Sequence, residues 1–186
     1  MNALSTLSFE PDLPLLGIAA WSGTGKTTLL EKLLPVLREQ GLKVAVIKHA
    51  HHEFEVDKPG KDSHRLRCAG ATPMLVASHK RLALMMETPG QEEPDLPALV
   101  ESLRCYSPDL ILVEGFKTWP FPKLALHRDT CGDTSLVQDT WVRAVATNQP
   151  EALTLKEDVV VLDIDNMMDI AAWVKKWPAC WKASLA

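Results

Sequence analysis

The chain has 186 residues, 46% of them hydrophobic and 24% charged, a composition typical of an ordinary globular protein. Its formal net charge of −4 lacks the basic excess of proteins that bind nucleic acid or anionic membranes, so we expect neither partner. The four cysteines are scattered and form no CxxC pair, which disfavours a zinc site and indicates reduced thiols.

The start of the chain does not resemble a secretory signal, because Glu10 and Asp12 stand where such a signal is positive or apolar. No apolar stretch approaches the roughly 20 residues that span a bilayer. We therefore expect a cytoplasmic protein. Its predicted organisation is a short leader over residues 1–14, followed by one domain over residues 15–186.

The first elements along the chain form a predicted strand–helix–strand unit. The apolar run 15–20 is typical of a strand that is buried on both faces. Leucines then recur at helical spacing over residues 26–40, although Pro35 should kink or break that helix. Residues 43–48, which are mostly apolar, follow as a second strand. Such a unit has a right-handed crossover.

Strands and helices continue to alternate towards the end of the chain. Further predicted strands span residues 74–78, 81–86, 109–115, 124–127, 142–147 and 159–164, and further helices end near residue 70 and span 99–105 and 167–181. The pattern predicts an α/β fold with a mostly parallel sheet in a three-layer α/β/α arrangement, and the turn described next assigns this fold to the P-loop NTPase type. In the last helix, Trp173, Trp177 and Trp181 share one face, which favours core packing or a dimer contact.

A glycine-containing turn joins the first strand to the first helix. In such a turn the backbone N–H groups converge on a phosphate, a lysine reaches the β- and γ-phosphates, and a hydroxyl binds Mg²⁺. The predicted nucleotide-binding residues are Trp21, Ser22, Gly23, Thr24, Gly25, Lys26, Thr27 and Thr28. Lys26 is the predicted catalytic cation and Thr27 the predicted Mg²⁺ ligand. Ala20 stands where the motif normally begins with glycine.

Glu114 closes a strongly apolar strand. A parallel strand would bring this carboxylate to the edge of the sheet where the phosphate turn lies. There it is predicted to hold Mg²⁺, directly or through water, and to take part in catalysis. The alternative is an acid that faces solvent or a helix N-terminus.

The polar loop after the second strand concentrates charged side chains and histidines. Asp57 is its best candidate for a further Mg²⁺ ligand, and Lys58 and Lys61 are candidates for phosphate binding or for a solvated loop. The neighbouring His51 and His52 suggest zinc, but the absence of a cysteine pair disfavours it.

The ordered segments AAWSGTGKTTLL, VIKHAHHEFEVDKPGKDS, ETPG and DLILVEGFK resemble the MobB family of molybdopterin-guanine dinucleotide biosynthesis adaptor proteins. The resemblance covers nearly the whole chain after the leader. It implies a homodimeric protein that binds GTP and Mg²⁺, hydrolyses GTP weakly and assists the enzyme that attaches GMP to molybdopterin. Molybdopterin itself is a further implied ligand. By position, the resemblance assigns Mg²⁺ to Thr27 and Glu114, and less directly to Asp57.

Guanine preference rests on this resemblance, because the chain contains no NKxD segment. Asn148, at the end of a predicted strand, is the candidate to reach a base edge. Two alternatives share the same phosphate site: a kinase for a small metabolite, and a binding module in which the nucleotide only stabilises the fold.

Overall fold

The computed structural model describes residues 12–50, 54–130 and 133–181. Its strands are β1 Leu15–Ala20, β2 Val44–Lys48, β3 Met74–Ala77, β4 Leu82–Met85, β5 Leu110–Glu114, β6 Lys123–His127, β7 Val142–Thr147 and β8 Val160–Asp163. Its α-helices are α1 Lys26–Glu39, α2 Asp62–Cys68, α3 Leu96–Leu103 and α4 Met167–Cys180. Short 3-10 turns span Arg104–Tyr106, Ser135–Gln138 and Pro150–Ala152.

The contacts of the chain group into two compact units, of which the larger comprises residues 1–49 and 95–186. Its six-stranded sheet has the order β2-β5-β1-β6-β7-β8, and all neighbouring strands are parallel. All residues of β1 and β6 are buried, as are the first four of β5. Burial on both faces is the mark of a parallel sheet covered by helices. The predicted α/β class with a mostly parallel sheet is confirmed.

Helices α1 and α4 pack against each other, and α3 packs against β2. Helix α1 runs uninterrupted through Pro35, so a break is the wrong one of the two predicted alternatives, and a kink stays a prediction. Its buried stripe consists of Leu29, Leu30, Leu33 and Leu37, and this packing outweighs the single backbone hydrogen bond that proline removes. Trp177 on α4 and Trp181 directly after the helix are buried, and the Trp177 indole donates to the Leu15 carbonyl at 2.7 Å. The tryptophan stripe therefore belongs to the core.

Helix α3 begins three residues before its predicted start. The Asp95 side chain caps it by accepting a hydrogen bond from the Ala98 N–H at 3.0 Å. Pro97 lies in the first turn, where a helix tolerates a residue without an N–H. Pro97 therefore belongs to the helix, although it precedes the predicted start at residue 99.

The smaller unit comprises residues 50–94. It contains α2 and the antiparallel hairpin β3–β4. Arg67 on α2 organises its polar side, because its guanidinium pairs with Glu55, with Asp57 at 2.9 Å and with Glu87 at 2.7 Å. The interpretation of residues 15–186 as one domain stays a prediction.

Of the predicted leader, residues 1–11 lie outside the described part of the chain. The Pro14 carbonyl already accepts a hydrogen bond from the Ile111 N–H at 2.9 Å, so the sheet begins immediately where the leader was predicted to end. Among the described residues, no helix is long and apolar enough to cross a membrane.

Candidate phosphate-binding site

The turn after β1 depends on two glycines with left-handed backbone angles. The φ angles are +83° at Gly23 and +91° at Gly25, and an added Cβ at either position would contact nothing within 4 Å. Glycine is therefore needed at both positions for its backbone conformation and not for lack of space. A residue with a Cβ adopts these angles only at a cost in energy. Between them, buried Thr24 ties the turn together by donating its hydroxyl to the Trp21 carbonyl at 2.9 Å.

Helix α1 begins directly after Gly25, which provides no side-chain cap. The Leu29 N–H donates to the Gly25 carbonyl at 2.9 Å, so the N–H groups of Lys26, Thr27 and Thr28 lie before the first helical hydrogen bond of this turn. The first turn contains no acidic residue. An N-terminus of this kind favours an anion through its N–H groups and its dipole.

Strand order brings Glu114 to the phosphate turn. Strand β5 pairs with β1 on one side and with β2 on the other, and Glu114 lies in register with Ile18 and Lys48. Its carboxylate lies 3.3 Å from the Lys26 Nζ and 3.7 Å from the Lys48 Nζ. The side chain is only 13% exposed. The structure thus places the two predicted catalytic residues, Lys26 and Glu114, in one ion pair.

Lys117 is a further cation near this turn, beside Lys26 and Lys48, and the sequence pattern did not identify it as a site residue. Its Nζ lies 4.6 Å from the centroid of the Trp21 ring. Burial lowers the pKa of Lys117, and repulsion from Lys26 lowers it further. Its position three residues after Glu114 was the available signal.

The loop between β5 and Lys117 has an unusual backbone. Gly115 has a φ of +100°, and an added Cβ there would lie 2.5 Å from the Cβ of His49. Phe116 also has a positive φ, of 50°. Its ring is buried and packs against the His49 ring, with 4.9 Å between their centroids. This packing holds the strained residue in place.

Asp57 lies in the smaller unit, where its carboxylate is paired with Arg67 at 2.9 Å. The hydrogen bond from Arg67 is the main cause that lowers the pKa of Asp57. Glu55, Asp57 and His64 place possible ligand atoms within 4.8 Å of one another, but both acids are already paired with the Arg67 guanidinium. The Mg²⁺ role of Asp57 stays a prediction. Lys58 and Lys61 are exposed, and His51 and His52 lie outside the described residues.

Asn148 follows β7 and is exposed. Its side chain forms a reciprocal pair with Asp129: its carbonyl oxygen accepts from the Asp129 N–H at 3.2 Å, and its amide donates to the Asp129 carboxylate at 3.1 Å. It lines an open depression together with Asp163 and Asp165. Contact between Asn148 and a base edge stays a prediction. It would use a lone pair or an amide proton of Asn148 that its hydrogen bonds to Asp129 leave unused.

Comparison with known proteins identifies the family that this chain resembles. The model of a family described as "Molybdopterin guanine dinucleotide synthesis protein B" matches residues 15–148. A relative from Escherichia coli (strain K12), named molybdopterin-guanine dinucleotide biosynthesis adapter protein, is 50% identical over 167 residues, which are 89% of this chain and 93% of the relative. A relative of the same name from Haemophilus influenzae is 45% identical over 165 residues, 89% of both chains.

Experimental structures share the fold. The crystal structure of Bacillus subtilis MobB superposes with a TM-score of 0.70 at 25% identity, over 89% of this chain and 98% of that one. A structure described as molybdopterin-guanine biosynthesis protein B gives a TM-score of 0.66 at 25% identity, over 86% and 97% of the two chains. The similarity therefore extends over most of both chains.

Proposed function

We propose, from the fact that this chain belongs to the MobB family, that it is a GTP-binding adaptor in the synthesis of molybdopterin guanine dinucleotide. The observation that carries the proposal is the ion pair between Lys26 and Glu114, 3.3 Å apart at the end of a glycine turn. A lysine and an acid beside free helix N–H groups are what a triphosphate with Mg²⁺ requires.

The turn would bind the phosphates through its backbone. The N–H groups of the first turn of α1 point out of the helix end, and the exposed Thr27 and Thr28 leave the approach open. Lys26, now paired with Glu114, would exchange that carboxylate for phosphate oxygens. Its charge would then stabilise the negative charge that develops during phosphoryl transfer.

The donor set fits Mg²⁺. The Thr27 hydroxyl and the Glu114 carboxylate are oxygen ligands of the kind this ion prefers, and the ion would neutralise phosphate charge when bound. A Mg²⁺ role for Asp57, which we also propose, would require its carboxylate to give up part of its pairing with Arg67. Hydrolysis would be slow, because Glu114 would be engaged by Mg²⁺ and by Lys48 and would not be free to act as a base.

We further propose guanine as the base and Asn148 as its reader, on the strength of the family. The partner would be the enzyme that attaches GMP to molybdopterin, as the adapter names of the relatives suggest. A pterin ligand at the adaptor itself is a further consequence. These roles, together with the composition of the chain, support a cytoplasmic location.

An exposed apolar face in the smaller unit is the observation that supports a homodimer. On one face of the hairpin β3–β4, Leu75 and Leu84 are opposite each other and are 55% and 60% exposed, with Leu82 beside them at 55%. A two-stranded hairpin has little stability of its own in water. We propose that a second copy of the chain covers this apolar face.

The test of the nucleotide site is Lys26→Ala. We expect it to lower the affinity for GTP with Mg²⁺ at least tenfold, because a charge-assisted contact to phosphate is worth about 1.5–3 kcal/mol. The measurement is isothermal titration calorimetry, with circular dichroism to show that the fold is retained. Lys175→Ala, which removes an exposed lysine from α4, is the matched control.

Equal GTP affinity in the Lys26→Ala variant and the wild type would reject this site. Labelled γ-phosphate distinguishes the remaining alternatives. Its recovery as free phosphate supports the adaptor GTPase, whereas its transfer to a pterin or another small molecule would identify a kinase.

A further inference from the structure

The positive charge at the phosphate turn exceeds the negative charge. In the part of the chain that the structure describes, Lys26 and Lys48 share the carboxylate of Glu114, and Lys117 lies over the Trp21 ring without a carboxylate partner. Lys26 is close enough to contribute to the lowered pKa of Lys117. A site with three ammonium groups and one carboxylate favours a ligand with several negative charges.

The backbone that positions Lys117 adopts an energetically unfavourable conformation. The two consecutive left-handed residues Gly115 and Phe116 turn the chain sharply at the end of β5. Phe116 is anchored by its contact with His49 and by an edge contact with Trp119, 5.9 Å between ring centroids. Strain of this kind persists where the surrounding packing enforces it, and it clusters at functional sites.

Trp21 is the residue whose ring the Lys117 ammonium group contacts. It is the first residue of the turn, and its indole Nε1 is buried without a hydrogen-bond partner among the described residues. An ammonium group over an aromatic ring is attracted by the ring quadrupole. A charge-assisted hydrogen bond to a phosphate oxygen is stronger, so a phosphate within reach would draw Lys117 off the ring.

We propose that Lys117 is a second phosphate-binding cation, which contacts the terminal phosphate of a nucleoside triphosphate and rests on the Trp21 ring in its absence. This inference rests on the proposed function. In turns of this kind the lysine of the motif, here Lys26, reaches the β- and γ-phosphates, and Lys117 lies close enough to Lys26 for their charges to repel each other. Lys117 therefore adds a contact at the terminal phosphate, and it distinguishes a triphosphate from a diphosphate.

The test compares Lys117→Gln, Lys117→Arg and wild type in calorimetric titrations with GDP and with a non-hydrolysable GTP analogue, both with Mg²⁺. We expect Lys117→Gln to lose about tenfold in triphosphate affinity while GDP affinity changes less than about twofold. Lys117→Arg should keep most of the discrimination, because it keeps the charge. Lys175→Gln is the matched control.

A second measurement requires no change at Lys117. Departure of the ammonium group from the Trp21 ring should change indole fluorescence when the GTP analogue binds, but not when GDP binds. The change should be absent from the Trp21→Phe variant. An unchanged ratio of triphosphate to diphosphate affinity in Lys117→Gln, or a fluorescence signal that is the same for both nucleotides, overturns the proposal.

Lys26→Ala separates this inference from the proposed function. If Lys26→Ala abolishes nucleotide binding while Lys117→Gln keeps the wild-type ratio, only the role of Lys117 fails. If Lys26→Ala leaves GTP binding intact, the phosphate site fails and the role of Lys117 fails with it.

Discussion

At the scale of single residues, Glu114 has two partners that compete with any ligand. Its carboxylate contacts Lys26 and Lys48 in the structure described here. Nucleotide binding would have to redistribute these contacts, since Lys26 cannot give its full charge to both a carboxylate and a phosphate. Glu114 should therefore weaken triphosphate binding, because it competes for Lys26, and support Mg²⁺-dependent turnover, because it supplies an oxygen ligand.

Glu114→Gln should separate the two effects. Loss of the carboxylate removes an oxygen anion from the metal site, and we expect Mg²⁺-dependent turnover to fall about tenfold or more. Triphosphate affinity without Mg²⁺ should not fall, because Lys26 loses a competing partner. Phosphate release measured across a range of Mg²⁺ concentrations tests the first effect, and calorimetry in a chelator tests the second.

Glu101→Gln is the matched control, because Glu101 is an acid on α3 that pairs with Arg104 at 2.8 Å. It should leave both quantities unchanged. A Glu114→Gln variant with the Mg²⁺ dependence of the wild type would show that Glu114 is only a structural counter-ion.

At the scale of elements, the approach of the β5–β6 connection to β1 depends on Gly17. An added Cβ at Gly17 would lie 2.7 Å from the Phe121 ring and 3.0 Å from the Lys123 side chain. Lys123 is itself buried, and its ammonium group donates to Asp139 at 2.7 Å and to the Trp119 carbonyl at 2.9 Å. Neither neighbour can move freely, so this glycine is required for close packing.

Gly17→Ala should lower the free energy of unfolding by about 1–3 kcal/mol, the usual cost of forcing extra volume into a packed core. Urea denaturation followed by circular dichroism measures the change. Adding Phe121→Leu to Gly17→Ala should recover part of the loss, because it removes the nearest ring atoms. Full stability of Gly17→Ala alone would contradict the contact.

The elements of the larger sheet could be predicted from local pattern. The apolar runs at β1 and β5 are continuous because both faces of these strands are buried, and their predicted bounds differ by at most one residue from those in the structure. The start of α3 and the continuity of α1 could not be predicted. The start of α3 depends on its Asp95 cap, and the continuity of α1 depends on packing that offsets Pro35. A periodic pattern of apolar residues does not reveal such contacts.

At the scale of the whole molecule, the apolar hairpin face makes a prediction about association. Leu84→Glu places a charge in the centre of this face and should convert a dimer into a monomer, because an unpaired charge resists burial. Sedimentation velocity over a range of concentrations measures the change. Met168→Glu is the matched control, since Met168 is 60% exposed on α4 in the other unit.

A wild-type chain that is monomeric at all concentrations, or a Leu84→Glu variant that still dimerises, would show that this face has another role. Loss of the dimer in both variants would show that the effect is not specific to the hairpin face.

The sequence by itself determined the phosphate turn, because glycines, a lysine and hydroxyls at fixed spacing specify a local backbone conformation. It also determined the buried strands, whose apolar runs are continuous. Only the tertiary structure decided which charges meet. Strand order places Glu114 between Lys26 and Lys48, and two left-handed residues place Lys117 over Trp21. Contacts between residues so far apart in the chain depend on pairing and packing, which local sequence does not encode.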